Sequence, residues 1–239
     1  MYDIVITGGT VVDGTGSLAR KADVGIDGTR VSEICKPSEG KGALVIDAKG
    51  MIVCPGFVDI HTHSDTYLLS CPLAESKIRQ GVTTELVGNC GGSAAPVVGL
   101  ARKMAIESNK DLWVDVTWST FDEYLLRLSD IRTSVNVASL VGADTLRLGV
   151  IGADDRQPSD DELGDMNKLL ADAMLEGAYG VSSGLIYAPG CFAKTDELIS
   201  LASTAASLGG MYASHIRGEG RTVVEAVSEA ITIGRESGC

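Results

Sequence analysis

Three histidines, six prolines and 5% aromatic residues are all that 239 positions contain of those types. No apolar run reaches the ~18 residues that a membrane-spanning helix needs. Positive charge is also short: 20 Lys and Arg stand against 32 Asp and Glu, for a net charge of −12. That balance argues against nucleic acid or an anionic membrane as partner. The opening "MYDIVITGG" has no basic stretch ahead of an apolar one, so no signal peptide is expected. The six cysteines (Cys35, Cys54, Cys71, Cys90, Cys191 and Cys239) lack paired spacing. Free thiols and a cytoplasmic location are therefore expected rather than a disulfide framework. The glycine-rich pieces "TGGT" and "DGTGS" lack the spacing and the lysine of a phosphate loop and read as turns.

What remains is an ordinary globular composition, 44% hydrophobic and 22% charged. Residues 1–54 read as short strands, with Asp27-Gly28 between Ile26 and Val31 as a tight-hairpin signal. So small a β-rich stretch makes a poor core alone and needs a second layer. From residue 55 to 239 the pattern turns to alternating strand and helix, which predicts a parallel sheet, open or closed into a barrel. Strands are expected in "GFVDIHTH", "VTTELVGNC", "TSVNVASLVGA", "YGVSSGLIY" and "GGMYASHI". A capping box is expected at Ser159 with Glu162. Thr120 with Glu123, Thr222 with Glu225, and Thr195, mark three further helix starts. In the helix after Ser159, Leu163, Met166, Leu170, Ala173 and Met174 follow helical spacing.

Two of the three histidines sit in "PGFVDIHTHSD", one residue apart at the tip of the first barrel-type strand. Strand alternation would turn His61 and His63 to one face, with Asp59 beside them. Such a pair at the C-terminal end of a parallel strand lies where α/β proteins place their sites. Cys90, in "LVGNCGG", ends the second strand, and His215, in "YASHIRGEG", ends the fifth. Read alone, Cys90 is a buried or loop thiol more readily than a ligand. Together, every histidine falls at a predicted strand end on one side of the sheet. Imidazole and thiolate suit zinc, which lowers the pKa of its water towards about 7.

Four stretches, "PGFVDIHTHSD", "QGVTTELVGNCGGSAAP", "GVSSGLIYAPG" and "YASHIRGEG", resemble the N-acyl-D-amino-acid deacylases (D-aminoacylases) of the amidohydrolase superfamily. The resemblance runs over essentially the whole chain. It implies an α/β fold, an amidohydrolase-type (β/α)8 barrel that is incomplete here at about five strand–helix units, beside part of a small N-terminal β-sandwich. It implies zinc-dependent hydrolysis of the amide of N-acylated D-amino acids. Cys90 and His215 would hold a tight zinc, and His61 and His63 with Cys90 a weaker second one. Tyr187 would touch substrate near the acyl group or the developing oxyanion. Arg217 and Glu219 would form a supporting ion pair. "GVSSGLIY" has no lysine where the superfamily carries its bridging one, in agreement with a cysteine bridge. "LVGADTLR" has Ala-Asp where relatives carry a histidine, which weakens any role there.

The resemblance also implies a zinc histidine on a sixth strand and a catalytic aspartate on an eighth. Both fall beyond Cys239, so no catalytic residue is assigned within the chain. The isolated chain is expected to be inactive, or nearly so, with a chain supplying the C-terminal half as a partner. A cyclic-amide hydrolase of the hydantoinase or dihydroorotase kind would share His61 and His63. A metal-free cysteine hydrolase using Cys90 with His215 would leave that pair unexplained. A non-catalytic metal-binding remnant is the third alternative.

Overall fold

Dipeptide and capping signals in the sequence correspond to real element boundaries in the computed structural model, which describes all residues 1–239. The chain divides into two units, Met1–Gly56 and Phe57–Cys239. In the first, β1 (Tyr2–Thr7), β4 (Asp23–Asp27), β5 (Arg30–Cys35) and β6 (Gly42–Asp47) form a sheet of order β5-β4-β1-β6. A second sheet of order β3-β2-β7 is built from β2 (Thr10–Val11), β3 (Arg20–Lys21) and β7 (Ile52–Val53). Asp27 pairs with Arg30 across the predicted turn, where Gly28 takes φ +56°. That left-handed conformation is open to glycine at little cost. Val11, Ala22 and Val24 make the small core, with Ile6, Ile26 and Val53 packed on it. Asp23 is fully buried, yet its carboxylate accepts from the amides of Gly8, Ser38 and Gly40. A buried carboxylate needs such partners.

The second unit runs β8 (Phe57–Asp59), α1 (Tyr67–Ser70), α2 (Glu75–Ile78), β9 (Val82–Val87), α3 (Gly99–Ser108), α4 (Phe121–Ile131), β10 (Asn136–Ser139), β11 (Val141–Gly142), α5 (Ala143–Val150), α6 (Asp160–Leu175), β12 (Gly180–Gly184), α7 (Thr195–Ser207), β13 (Met211–His215) and α8 (Val223–Ser237). Its strands pair in parallel, in the orders β10-β9-β8 and β11-β12-β13. One segment serves both sheets, because Leu140, between β10 and β11, donates its amide to Val87 at 2.9 Å. Each strand thus lies beside its sequence neighbour, and β8 and β13 have one neighbour each. This is an α/β fold without a closed barrel. No helix is long and apolar enough to cross a membrane.

The core of this unit lies between sheet and helices, around Trp118, Phe121, Tyr124, Met166, Leu170, Leu198 and Leu201. Of the five periodic positions on α6, Met166, Leu170 and Ala173 are buried, and Leu163 and Met174 are half-buried. The expected capping box forms at Ser159–Glu162, and the helix start at Thr120 with Glu123 is a capping box as well. Ser159→Ala removes the acceptor for the Glu162 amide and is expected to cost about 1 kcal/mol, measured by urea unfolding. Two starts differ from expectation. Lys194, not Thr195, holds the cap position of α7, and the Thr195 hydroxyl donates to Glu229 at 2.9 Å instead. Thr222 does stand at the start of α8, but its side chain makes no capping bond.

Candidate metal centre

The first barrel-type strand is shorter than its apolar run suggests. It ends at Asp59, so His61 and His63 lie in the loop beyond it rather than on the pleat. Their common direction therefore owes nothing to strand alternation. It comes from the bonds that hold the loop. The Thr62 amide donates to the Leu86 carbonyl at 3.3 Å, and the His61 amide donates to Asp59 Oδ1 at 3.2 Å. The two rings meet edge to face, with centroids 5.5 Å apart.

Cys90 approaches from the loop after β9 with φ +54°, a conformation that a side-chain-bearing residue rarely takes. Such local strain concentrates at functional sites. Gly91 follows at φ +79°, where a Cβ would run into Asp144 and the Gly184 amide. The result is a close approach of Cys90 Sγ to His61 Nε2, at 3.1 Å. Ligand atoms of His61, His63 and Cys90 all lie within 4.8 Å of one another.

His215, the last residue of β13, is not part of that group of three. It stands beside Tyr187, whose hydroxyl lies 3.5 Å from His215 Nδ1 and donates to the Cys90 carbonyl at 3.0 Å. The two rings are edge to face with centroids 5.4 Å apart. Its other nitrogen, Nε2, is buried and makes no hydrogen bond. Glu219 Oε1 lies 3.1 Å from it, but not in hydrogen-bonding geometry. The His63 pKa is lowered by burial first, then by His61 and by His215. That favours neutral imidazole, the form that ligates metals. Burial, followed by contact with Cys90, raises the Tyr187 phenol, which stays a proton donor at neutral pH.

Arg217 and Glu219 do not pair. Arg217 binds both carboxylate oxygens of Glu229, at 2.9 Å each, and the carbonyls of Cys191 and Ala193. Glu219 is left on the His215 side. The strands themselves explain this: residue 217 lies past the end of β13, where it faces the start of α7 and the flank of α8.

Sequence reading missed a charged cluster behind the histidine loop. Glu85 of β9 is fully buried, and Lys77 of α2 lies 4.0 Å from it and 2.6 Å from Asp59. The available signal was a lone glutamate inside the apolar run "VTTELV". A cavity of about 300 Å³ opens beside His63, with Ala101, Met104 and Trp118 in its wall.

Comparison with known proteins identifies the family. The family model described as "Amidohydrolase family" matches residues 44–232. The chain is 42% identical over 240 residues to an N-acyl-D-glutamate deacylase of Alcaligenes xylosoxydans xylosoxydans, covering 99% of this chain and 48% of that protein. An N-acyl-D-glutamate deacylase from Bordetella bronchiseptica, solved with zinc and a phosphonate mimic of the tetrahedral intermediate, superposes with TM-score 0.90 at 38% identity, covering 100% of this chain and 50% of that one. A D-aminoacylase solved in a study of its binuclear metal centre gives TM-score 0.90 at 38% identity, covering 99% and 50%. The chain spans about half the length of the curated relatives it matches. With the model running through both the strand–helix unit and the histidine loop, the chain belongs to the amidohydrolase family.

Proposed function

We propose that this chain is part of a zinc-dependent hydrolase that cleaves the amide of N-acyl-D-amino acids into a carboxylate and a free D-amino acid. The observation that carries the reading is the convergence of His61, His63 and Cys90 within 4.8 Å. Two imidazoles and a thiolate are a donor set that suits zinc and excludes magnesium or calcium, which take oxygen ligands. The Nε2 of His215, buried and making no hydrogen bond, is available as a further donor. A buried ring nitrogen without a partner is costly unless something ligates it. In this reading Cys90 and His215 hold the tight ion, and His61 and His63 with Cys90 hold a second, weaker one. Zinc supplies Lewis acidity there, polarising a carbonyl and bringing the ionisation of water near neutral pH.

The chain's own residues do the rest. Tyr187, with its phenol already donating into the site, would orient the acyl carbonyl or the oxygen that gains charge. The cavity beside His63 would take the acyl group, since Ala101, Met104 and Trp118 give it an apolar wall. At fold level, the unclosed run of strands from β8 to β13 is an arc of a (β/α)8 barrel in this reading. Residues 1–54 then form part of a β-sandwich. The relatives' names, an N-acyl-D-glutamate deacylase and a D-aminoacylase, supply the substrate class.

The proposed metal donors all lie within the chain, so the readout is binding. Isothermal titration should find a tight zinc site on the chain, weakened about 100-fold by Cys90→Ala. Adding N-acetyl-D-glutamate should shift the visible bands of the cobalt-loaded chain. A chain that binds no zinc, or whose cobalt bands respond only to a cyclic imide, overturns the reading.

A further inference from the structure

The loop His61-Thr62-His63-Ser64 alternates imidazoles with hydroxyls, and both hydroxyls end on one carboxylate. Ser64 Oγ donates in a short bond to Glu85 Oε2, and Thr62 Oγ1 donates to the same oxygen at 3.3 Å. The two hydroxyls are themselves 3.0 Å apart. Lys77 Nζ joins from α2, donating to Thr62 Oγ1 at 3.2 Å and to Asp59 Oδ2 at 2.6 Å. Asp59 Oδ1 in turn accepts the His61 amide. Three of the four positions, 61, 62 and 64, are thus tied to one partly buried cluster, and His63 is carried between two of the ties.

Glu85 is an improbable residue for a purely structural purpose here. It is fully buried on a strand flanked by threonines and aliphatics, and its Oε1 has no hydrogen-bond partner. A leucine or valine would fill such a position without an unmet acceptor. What an apolar residue would not do is accept two hydroxyls from a loop that has already left its strand. We propose that Glu85, with Lys77 and Asp59, is a positioning residue for the imidazole pair. It fixes residues 62 and 64 from behind, so that His61 and His63 are held facing Cys90 before any ion arrives. This rests on the metal reading above, and it adds that the affinity of the site is set on the far side of the loop. Preorganising ligands through their outer contacts commonly changes metal affinity by about 10–100-fold.

The test uses the whole 239-residue chain. Cobalt(II) affinity is measured by chelator competition, with the visible spectrum as a report on ligand geometry. Amide hydrogen exchange over residues 60–64 is measured in the metal-free protein. Glu85→Leu should weaken cobalt binding about 10–100-fold with altered visible bands, and should speed loop exchange about tenfold. Glu85→Gln, which keeps an acceptor for the hydroxyls, should recover most of both. The double variant Thr62→Val/Ser64→Ala should reproduce the Glu85→Leu result, and it carries the test if Glu85→Leu fails to fold. Exchange in α6, remote from the loop, should not move. Wild-type affinity and wild-type loop exchange in both variants overturn the proposal. If the unaltered chain binds no cobalt, the metal reading falls, and the exchange arm alone decides whether Glu85 fixes the loop.

Discussion

Replacing Arg147 with methionine is expected to destabilise the protein by about 3–5 kcal/mol at neutral pH. Arg147 of α5 and Glu197 of α7 are 1% and 5% exposed. Arg147 Nη1 donates to both carboxylate oxygens, at 2.9 and 2.7 Å, and its Nη2 donates to the Arg156 carbonyl. Its Nε has no partner. Burial raises the Glu197 pKa despite the attraction of Arg147. The pair is therefore a poor source of net stability, but a severe liability once broken. Methionine would leave a carboxylate in the core with nothing to compensate it. The loss should be larger at pH 8 than at pH 5, because a carboxyl with a raised pKa accepts a proton when pH falls and then tolerates burial. The double variant Arg147→Met/Glu197→Leu should recover most of the loss. Guanidinium unfolding of the three proteins checks this. A single variant within about 1 kcal/mol of wild type, or a double variant no better than the single, contradicts it. The consequence reaches the site, since the amides of Asp144 and Thr145 at the start of α5 both donate to the carbonyl of Gly91, next to Cys90.

How much of this was legible in the sequence follows from the range of each interaction. The Asp27-Gly28 hairpin and the two capping boxes close over two or three residues, so local chemistry fixes them. The grouping of His61, His63 and Cys90 was legible because strand ends can be read from apolar runs bounded by polar and glycine residues. The mechanism of their alignment was not. Strand alternation was the natural local explanation, whereas the loop is held by the Leu86 carbonyl and Asp59 and is backed by a carboxylate 23 residues from Thr62 and a lysine 15 residues from it. The same holds for Arg217. Its sequence neighbour Glu219 was the obvious partner, yet the fold offers Glu229, 12 residues on, in bidentate geometry. A buried ion pair is decided by which elements stack, and that information is not local. Thr195 shows the smaller version of this effect, since a hydroxyl able to cap α7 is drawn to Glu229 of α8 instead.

Asp144 is the second place where a large effect is expected, and its sign depends on pH. The "GADTLR" stretch offered an aspartate without evident chemistry; the structure sets its carboxylate close to the backbone of Gly184 and Gly190, whose amides favour the charged form. Burial is the larger influence and moves its pKa from 3.8 to about 7, while those amides and Arg147 pull the other way. In the unfolded chain the group titrates near 3.9. Between about pH 4 and pH 7 the folded protein therefore holds a proton that the unfolded chain has released. Stability must fall as pH rises through that window, by up to roughly 3–4 kcal/mol for this group alone. Asparagine is nearly isosteric and cannot ionise, but it has a single acceptor oxygen for two amides. Asp144→Asn should then be less stable than wild type by about 1 kcal/mol at pH 4 and more stable above pH 7. The two stability–pH curves should cross between those limits. Urea unfolding at pH 4, 5.5, 7 and 8 checks this, and the difference between the proteins cancels the slope that Glu197 contributes to both. Curves that run parallel across the range would mean that Asp144 is ionised in the folded state throughout. The amides of Gly184 and Gly190, rather than burial, would then govern its charge.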